Sequence, residues 1–153
     1  MNQSFYADSS VLVKRHLNEV GSNWLISLTD SSQNNSLTTA TLSIVEVISA
    51  FNRKLRETAI TKGDYEQAKD EYLLACNDYE FIRFESASTQ AQNLLEKYPL
   101  RAGDAIQLAS AIIVRMSLLN AGLSEPIFLA SDNKLLDAAI AEGFTTDNPL
   151  FHS

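Results

Sequence analysis

The sequence predicts an α/β domain with a mostly parallel central sheet of about four to five strands and helices on both faces. Three observations carry this prediction. Short apolar runs at residues 5–7, 37–39, 81–84, 127–130 and 144–146 alternate with longer stretches of helical period. Ile127-Phe128-Leu129-Ala130 is apolar throughout, as in a strand covered on both faces of a parallel sheet. Twice, at Asp8 and at Asp132, an apolar strand runs through an acidic residue directly into a helix, the junction at which open α/β sheets bind ligands.

The elements follow in order. Phe5-Tyr6-Ala7 is the first strand, Asp8 stands at its carboxyl end, and residues 11–17 form a first helical stretch. A break at Gly21 precedes a second short helix over residues 22–28. Residues 31–36 are polar loop, and Leu37-Thr38-Thr39 is short and β-branched, a second strand. From Ser43, the apolar residues Ile44, Ile48, Phe51 and Leu55 line one helix face, with Asn52, Arg53, Arg56 and Glu57 opposite. Gly63-Asp64 restarts a helix carrying Tyr65, Ala68, Tyr72, Ala75 and Tyr79, antiparallel to its predecessor across a short connection. The strand at residues 81–84 leads to a helix over 86–97, with Ala87, Ala91, Leu94 and Leu95 inward, stopped by Pro99. Residues 104–119 form the most apolar helix, with Ile106, Ala109, Ile113 and Met116 as core candidates. A helix over 132–142 follows the strand at 127–130 and ends at Gly143, and Phe144-Thr145-Thr146 supplies the last edge strand.

Composition bounds the function. With 153 residues, 45% hydrophobic and 20% charged, the chain reads as one globular domain over residues 1–153. Apolar runs are expected to be broken by charge before reaching the roughly 18–20 residues of a membrane span. Met1-Asn2-Gln3-Ser4 lacks the basic and apolar regions of a secretory signal, so the expectation is a cytoplasmic protein without a membrane partner. Cys76 is the only cysteine, which excludes an internal disulfide and a thiolate metal cluster. It reads as a small buried hydrophobe. The net charge of −7 argues weakly against a nucleic-acid partner. Clustered metal-binding carboxylates or a local patch such as Arg53, Lys54, Arg56 and Lys62 would override that sign.

Four acids stand where this architecture gathers ligands: Asp8, Glu46, Asp104 and Asp132. Each has a plain alternative. Ser43-Ile44-Val45-Glu46 is a capping box by pattern, and Asp104 and Asp132 suit helix N-caps, worth roughly 0.3–1 kcal/mol through the helix dipole. Asp8 is as easily a cap as a ligand. Jointly they mean more, because strand carboxyl ends and helix N-termini share one edge of a parallel sheet. Like charges gathered there repel, and a cation relieves them. Oxygen-only ligation without Cys or His points to Mg²⁺ or Mn²⁺. A carboxylate-held ion of that kind suits phosphodiester hydrolysis.

The residue patterns resemble the PIN-domain family. The likeness is carried by Phe5-Tyr6-Ala7-Asp8-Ser9-Ser10-Val11-Leu12-Val13-Lys14 and by Leu42-Ser43-Ile44-Val45-Glu46-Val47 with Arg53-Lys54. Tyr98-Pro99-Leu100-Arg101-Ala102-Gly103-Asp104-Ala105-Ile106-Gln107-Leu108-Ala109 supplies a third motif. Leu129-Ala130-Ser131-Asp132-Asn133-Lys134-Leu135-Leu136-Asp137-Ala138-Ala139 with Gly143-Phe144 and Asn148-Pro149 supplies a fourth. Within the family, the chain is most similar to stand-alone VapC-type toxins of type II toxin–antitoxin modules. The resemblance implies a three-layer PIN-like fold and an Mg²⁺- or Mn²⁺-dependent endoribonuclease. It also implies a homodimer, silenced by a cognate antitoxin that lays a segment across the active-site groove. By motif, Asp8, Glu46, Asp104 and Asp132 are the catalytic metal-site acids. Asp132 either touches the metal or orients water, and Ser10 is a helper hydroxyl or a helix cap. Gln107 stands where many relatives carry His, a change read as peripheral.

Lys14, Arg53, Lys54 and Arg56 are candidate RNA contacts, or a merely solvated helix face. His16 is read as a solvated face or a phosphate contact, Trp24 as core or interface. Tyr65, Tyr72 and Tyr79 are read as a packed hairpin, a dimer surface or base-stacking rings. The competing functions are a non-catalytic PIN-fold binding module and an aspartyl phosphotransferase or receiver-like domain using Asp8 or Asp132. Against the latter, Asp8-Ser9-Ser10 lacks a second Asp two residues on.

Overall fold

The computed structural model describes residues 2–153; Met1 of the opening tetrapeptide lies outside them. The strands are β1 (Ser4–Ala7), β2 (Ser36–Ala40), β3 (Glu80–Ile82), β4 (Ile127–Leu129) and β5 (Thr146–Asp147). The helices are α1 (Ser9–His16), α2 (Ser22–Leu28), α3 (Leu42–Arg56), α4 (Lys62–Ala75), α5 (Phe84–Lys97), α6 (Ala102–Asn120) and α7 (Asn133–Ala141). Single 3₁₀ turns lie at Ser31–Gln33, within the expected polar loop, and at Pro149–Phe151.

The five strands form one sheet in the order β3-β2-β1-β4-β5, and every pair is parallel. Strand order runs outward from β1 in both directions, so the chain reverses between β1 and β4. That reversal opens a crevice beyond the carboxyl ends of these two strands. Asp8 follows β1 and Asp132 lies three residues beyond β4, at the two lips of this crevice.

Alternation along the central strands divides the core. Phe5 and Ala7 of β1, with Leu129 of β4, pack with α1 to α4 residues such as Leu12, Leu25, Val47, Phe51 and Tyr72. Tyr6 and Phe128 point the other way into a cluster with Leu94, Leu108, Leu135 and Phe144. Tyr6 and Phe128 stack with ring centroids 5.6 Å apart. Both faces of the sheet are therefore covered, giving the predicted three layers.

Several local expectations are corrected. The buried stripe of α3 is Ser43, Val47, Ala50 and Phe51, rotated from the expected Ile44-Ile48-Phe51-Leu55 face. Packing between two layers, rather than apolarity alone, sets that rotation. Leu95 is 42% and Met116 58% exposed, although the pattern placed both inward. Tyr79 lies beyond the end of α4. The strand expected at 81–84 stops at Ile82, and Phe84 opens α5. The apolar run of helix α6 is broken by charge at Asp104 and Arg115, as expected. Its 19 residues are long and apolar enough to cross a bilayer by length and composition, yet half are buried against the rest of the protein. Such a pattern equally describes a central core helix.

Gly21 shows how the C-terminal turn is seated. It caps α2 at φ +89°, and a Cβ there would stand 2.3 Å from the Pro149 carbonyl oxygen. Next to it, Trp24 stacks on His152 at 3.9 Å, and His152 Nε2 lies 2.8 Å from Asp147 Oδ1. Trp24 thus clamps the C-terminal segment. Gly21→Ala is expected to cost roughly 2–4 kcal/mol through positive-φ strain and overpacking together, read as a lower urea midpoint at unchanged slope.

Candidate metal centre and groove

Asp8 is the residue that β1 delivers to the crevice. Its backbone N–H donates to Leu129 O at 3.0 Å, tying the end of β1 to β4. Its side chain caps α1: Oδ2 accepts from the Ser10 amide at 3.2 Å and from Ser10 Oγ at 2.7 Å. The carboxyl is only 5% exposed. Burial pushes its pKa up to about 6, against the two Ser10 hydrogen bonds, and the charges of Glu46 and Asp104 push it further. Asp8, not Ser10, is the cap of α1, and the two Ser10 hydrogen bonds steady its buried carboxylate.

Glu46 does not cap its helix. The N-cap of α3 is Thr41, and Ser43 is fully buried, its Oγ 2.6 Å from Thr39 Oγ1. The Ser43–Glu46 capping box is overturned because Ser43 already lies inside the helix and its hydroxyl serves the sheet. Glu46 Oε1 instead accepts from Gln107 Nε2 at 2.8 Å. Gln107 is fully buried, receives the Tyr6 hydroxyl on Oε1 at 2.6 Å, and also donates to Ser43 Oγ at 2.9 Å. The change at Gln107, expected to be peripheral, is central.

Asp104 is the third residue of α6, whose N-cap is Arg101, so it too is not the cap it resembled. Burial raises its pKa, the Asp132 charge adds to the rise, and Arg101 opposes it. Asp132 does cap α7, its Oδ1 accepting from Lys134 N at 2.7 Å and Leu135 N at 3.2 Å. Both bonds fall on one oxygen, so capping does not use the second. Asp8 feels the charges of Glu46 and Asp104, and Asp104 feels that of Asp132, so the four acids follow one another as neighbours along the sheet edge.

Beside them lies an open groove of about 620 Å³, lined by Ser10, Lys14, Glu46, Arg53, Lys54 and Ser131, among others. Lys14 and Lys54 both pair with Glu19, whereas Arg53 is exposed on the groove wall. Arg56 is exposed but does not line it. His16 is half-buried, at the wall of a second cavity with Glu19 and Lys54. Its Nε2 lies 3.1 Å from the Tyr79 hydroxyl and its ring meets Tyr72 edge-on at 5.3 Å. Burial, with Arg15 nearby, lowers its pKa to about 4. Tyr65, Tyr72 and Tyr79 all pack into the α1–α4 core, as the hairpin reading had it.

One observation counts against a preformed divalent-ion cage, and one favours an ion at this edge. Among the described residues, no three Asp, Glu, His or Cys side chains form a ready cage. Mg²⁺ commonly binds through only one or two carboxylates and keeps several waters, so an open oxygen-lined edge suits it. Ser131 Oγ, in the groove wall next to Asp132, is buried without a hydrogen-bond partner, the only such side-chain atom among the described residues. An orphan hydroxyl at an acidic edge is a place where a bound water or ion completes the bonding. The donor set fits Mg²⁺ or Mn²⁺.

Sequence reasoning gave no separate role to Tyr6 or Gly103 and read the change at Gln107 as peripheral, whereas its side chain bonds Glu46. The available signal was a polar residue in the middle of the most apolar helix, one turn after Asp104.

A parallel α/β sheet with an acidic carboxyl edge and an adjoining groove defines the class of protein. The PIN domain family profile matches residues 5–141, and the chain belongs to that family. The fold is similar to a toxin–antitoxin complex from Klebsiella pneumoniae, at TM-score 0.60 and 15% identity, covering 95% of this chain and 97% of that one. It is also similar to PAE2754 from Pyrobaculum aerophilum, at TM-score 0.59 and 16% identity, covering 94% and 89%. No curated protein sequence gives a significant match.

The Asp8 shift has a pH signature. Its pKa rises from 3.8 in the unfolded chain to about 6, so between these values the folded state binds more protons. Metal-free stability therefore falls as pH rises through that window. Asp8→Asn keeps an acceptor for Ser10 but removes the charge. In EDTA it is expected to match wild type near pH 4 and to exceed it by up to about 3 kcal/mol above pH 7, from urea midpoints. A pH-independent difference would refute the buried-anion account.

Proposed function

We propose that this chain is an Mg²⁺- or Mn²⁺-dependent endoribonuclease that hydrolyses RNA phosphodiester bonds and serves as the toxin of a type II toxin–antitoxin module. The observation that carries this reading is the succession of neighbouring acids Glu46, Asp8, Asp104 and Asp132 along the carboxyl edge of the sheet, beside a groove with basic side chains on its wall. Membership of the PIN family and the fold shared with a toxin–antitoxin complex support it.

Asp8, Glu46 and Asp104 would hold the ion, with Asp132 at its margin. When bound, the ion supplies a water of lowered pKa and stabilises charge developing on phosphate oxygens. The chain's own groups do the rest. Ser10 occupies Asp8 Oδ2 with two hydrogen bonds, which orients the carboxylate. Asp132, exposed and bonded through Oδ1 only, orients water with its second oxygen. Arg53 meets backbone phosphates along the groove, and Lys14 and Lys54 join it when an incoming phosphate competes with Glu19. Arg56 extends this basic face beyond the groove. Local charge thus outweighs the net −7 at the point of contact.

The partners in this reading are RNA, a cognate antitoxin segment laid over the same groove, and a second copy of the chain. Met116 and Leu119 on α6 and Leu123 just beyond it are exposed apolar side chains that a second copy would cover. The setting is the cytoplasm. A small overlapping gene encoding a DNA-binding head and an extended tail would support the module assignment. The alternative, a non-catalytic PIN-fold binding module, draws on the absence of a ready three-ligand cage among the described residues.

Asp8→Asn and Asp104→Asn are each expected to abolish RNA cleavage and growth inhibition with the fold retained by circular dichroism. EDTA is expected to do the same. Full activity in either variant or in EDTA would sink the nuclease, and calorimetry showing no Mg²⁺ or Mn²⁺ binding would favour the binding module. Arg53→Ala should weaken RNA binding without sequence preference and flatten the salt dependence by about one phosphate contact.

A further inference from the structure

We propose that Gln107 is the positioning residue of the metal centre, setting the carboxylate of Glu46 relative to Asp104. The inference rests on the metal-dependent reading above and specifies how that site is held.

A glutamate on a helix wall has several rotatable bonds, and an unsupported one samples many positions. Here each oxygen of Glu46 has an assigned place. Oε1 takes the Gln107 amide at 2.8 Å. Oε2 lies over Gly103, where a Cβ would stand only 2.9 Å from it. Any residue other than glycine would push the carboxylate away from the first turn of α6, beside Asp104.

The amide is itself locked in one orientation. A carboxylate only accepts, so the nitrogen of Gln107 must face Glu46 and the oxygen must face the Tyr6 hydroxyl. The Tyr6 hydroxyl donates to that oxygen at 2.6 Å, which fixes the flip of the amide. The second amide hydrogen goes to Ser43 Oγ, which Thr39 holds from the sheet. Both amide hydrogens and the oxygen are thus engaged by β1, β2 and α3, and Gln107 cannot turn away.

Asp104 and Gln107 are three residues apart, one turn of α6. A single rigid turn therefore carries one site acid and the group that sets another, so the separation of Glu46 and Asp104 follows from helix geometry. The amide also supplies a donor without a charge. A cationic side chain at this place would offset the acids and compete with a metal, whereas Gln107 fixes Glu46 and leaves the site's negative charge for the ion. Outer-shell partners of this kind typically govern 10–100-fold in metal affinity.

The test is Mn²⁺ binding to the full chain by calorimetry, with thermal unfolding in EDTA to confirm a cooperative fold. Gln107→Met, similar in volume but without a donor, is expected to bind Mn²⁺ about 10–100-fold more weakly than wild type. Gln107→His, which keeps a ring nitrogen for Glu46, should recover most of that loss. In a Glu46→Gln background the Gln107→Met effect should vanish, which a merely structural role would not produce. Should Gln107→Met fail to fold, Gln107→Asn, whose amide is too short to reach Glu46, takes its place with the same expected loss. A folded variant that binds Mn²⁺ as tightly as wild type, or a loss that persists unchanged with Glu46→Gln, overturns this inference alone. No binding by the wild-type chain overturns the metal-dependent reading and the inference with it.

Discussion

Repulsion between the acids at the carboxyl edge of the sheet is the constraint on which the rest of the structure depends. A parallel sheet sends every strand end and every following helix start to one side, so acids at those junctions converge by topology. Burial sharpens the conflict, as the rise of the Asp8 carboxyl to about 6 shows. The fold answers with neutral donors. Ser10 supplies two hydrogen bonds to Asp8, Gln107 supplies one to Glu46, and the α7 N-terminus supplies two to Asp132. None of these groups carries a full positive charge. The edge is therefore ordered without being neutralised, the condition expected of a site that receives a cation.

Apart from Arg101 beside Asp104, the basic side chains named above stand one step away from this edge. Lys14 and Lys54 are tied to Glu19 on the groove wall, and the exposed Arg53 stands beside them. In the function proposed above, this position would let them attract a polyanion without quenching the acids, despite the net charge of −7. The tyrosines and His16, chemically suited to stack on bases or move protons, are spent on packing. His16, with its pKa lowered to about 4, stays neutral against Tyr72 and Tyr79 at ordinary pH.

How far the sequence could be read depended on the range of the interaction concerned. Asp8 and Asp132 were recognisable because a strand, an acid and a helix follow one another within a few residues, and their caps are local bonds. Glu46 was recognisable as a site acid but not in its surroundings, because the S-x-x-E pattern imitates a capping box that burial of Ser43 excludes. Leu95 and Met116 looked inward by periodicity, yet a helix packed on one side only exposes the edges of its apolar stripe.

The sequence by itself determined the alternation of elements, and with it the parallel sheet, the carboxyl-edge location of the acids and membership of the PIN pattern. These follow from periodicity and from nearest-neighbour chemistry, both local properties of the chain. Only the tertiary structure decided which neighbours those acids have. Gln107 is 61 residues from Glu46 and 101 from Tyr6, and nothing short of the folded sheet brings the three together. The same holds for the clamp of Trp24 on His152 and for the close approach of Glu46 to Gly103. Long-range contacts are set by how two layers pack across a sheet, and that packing is a property of the whole fold.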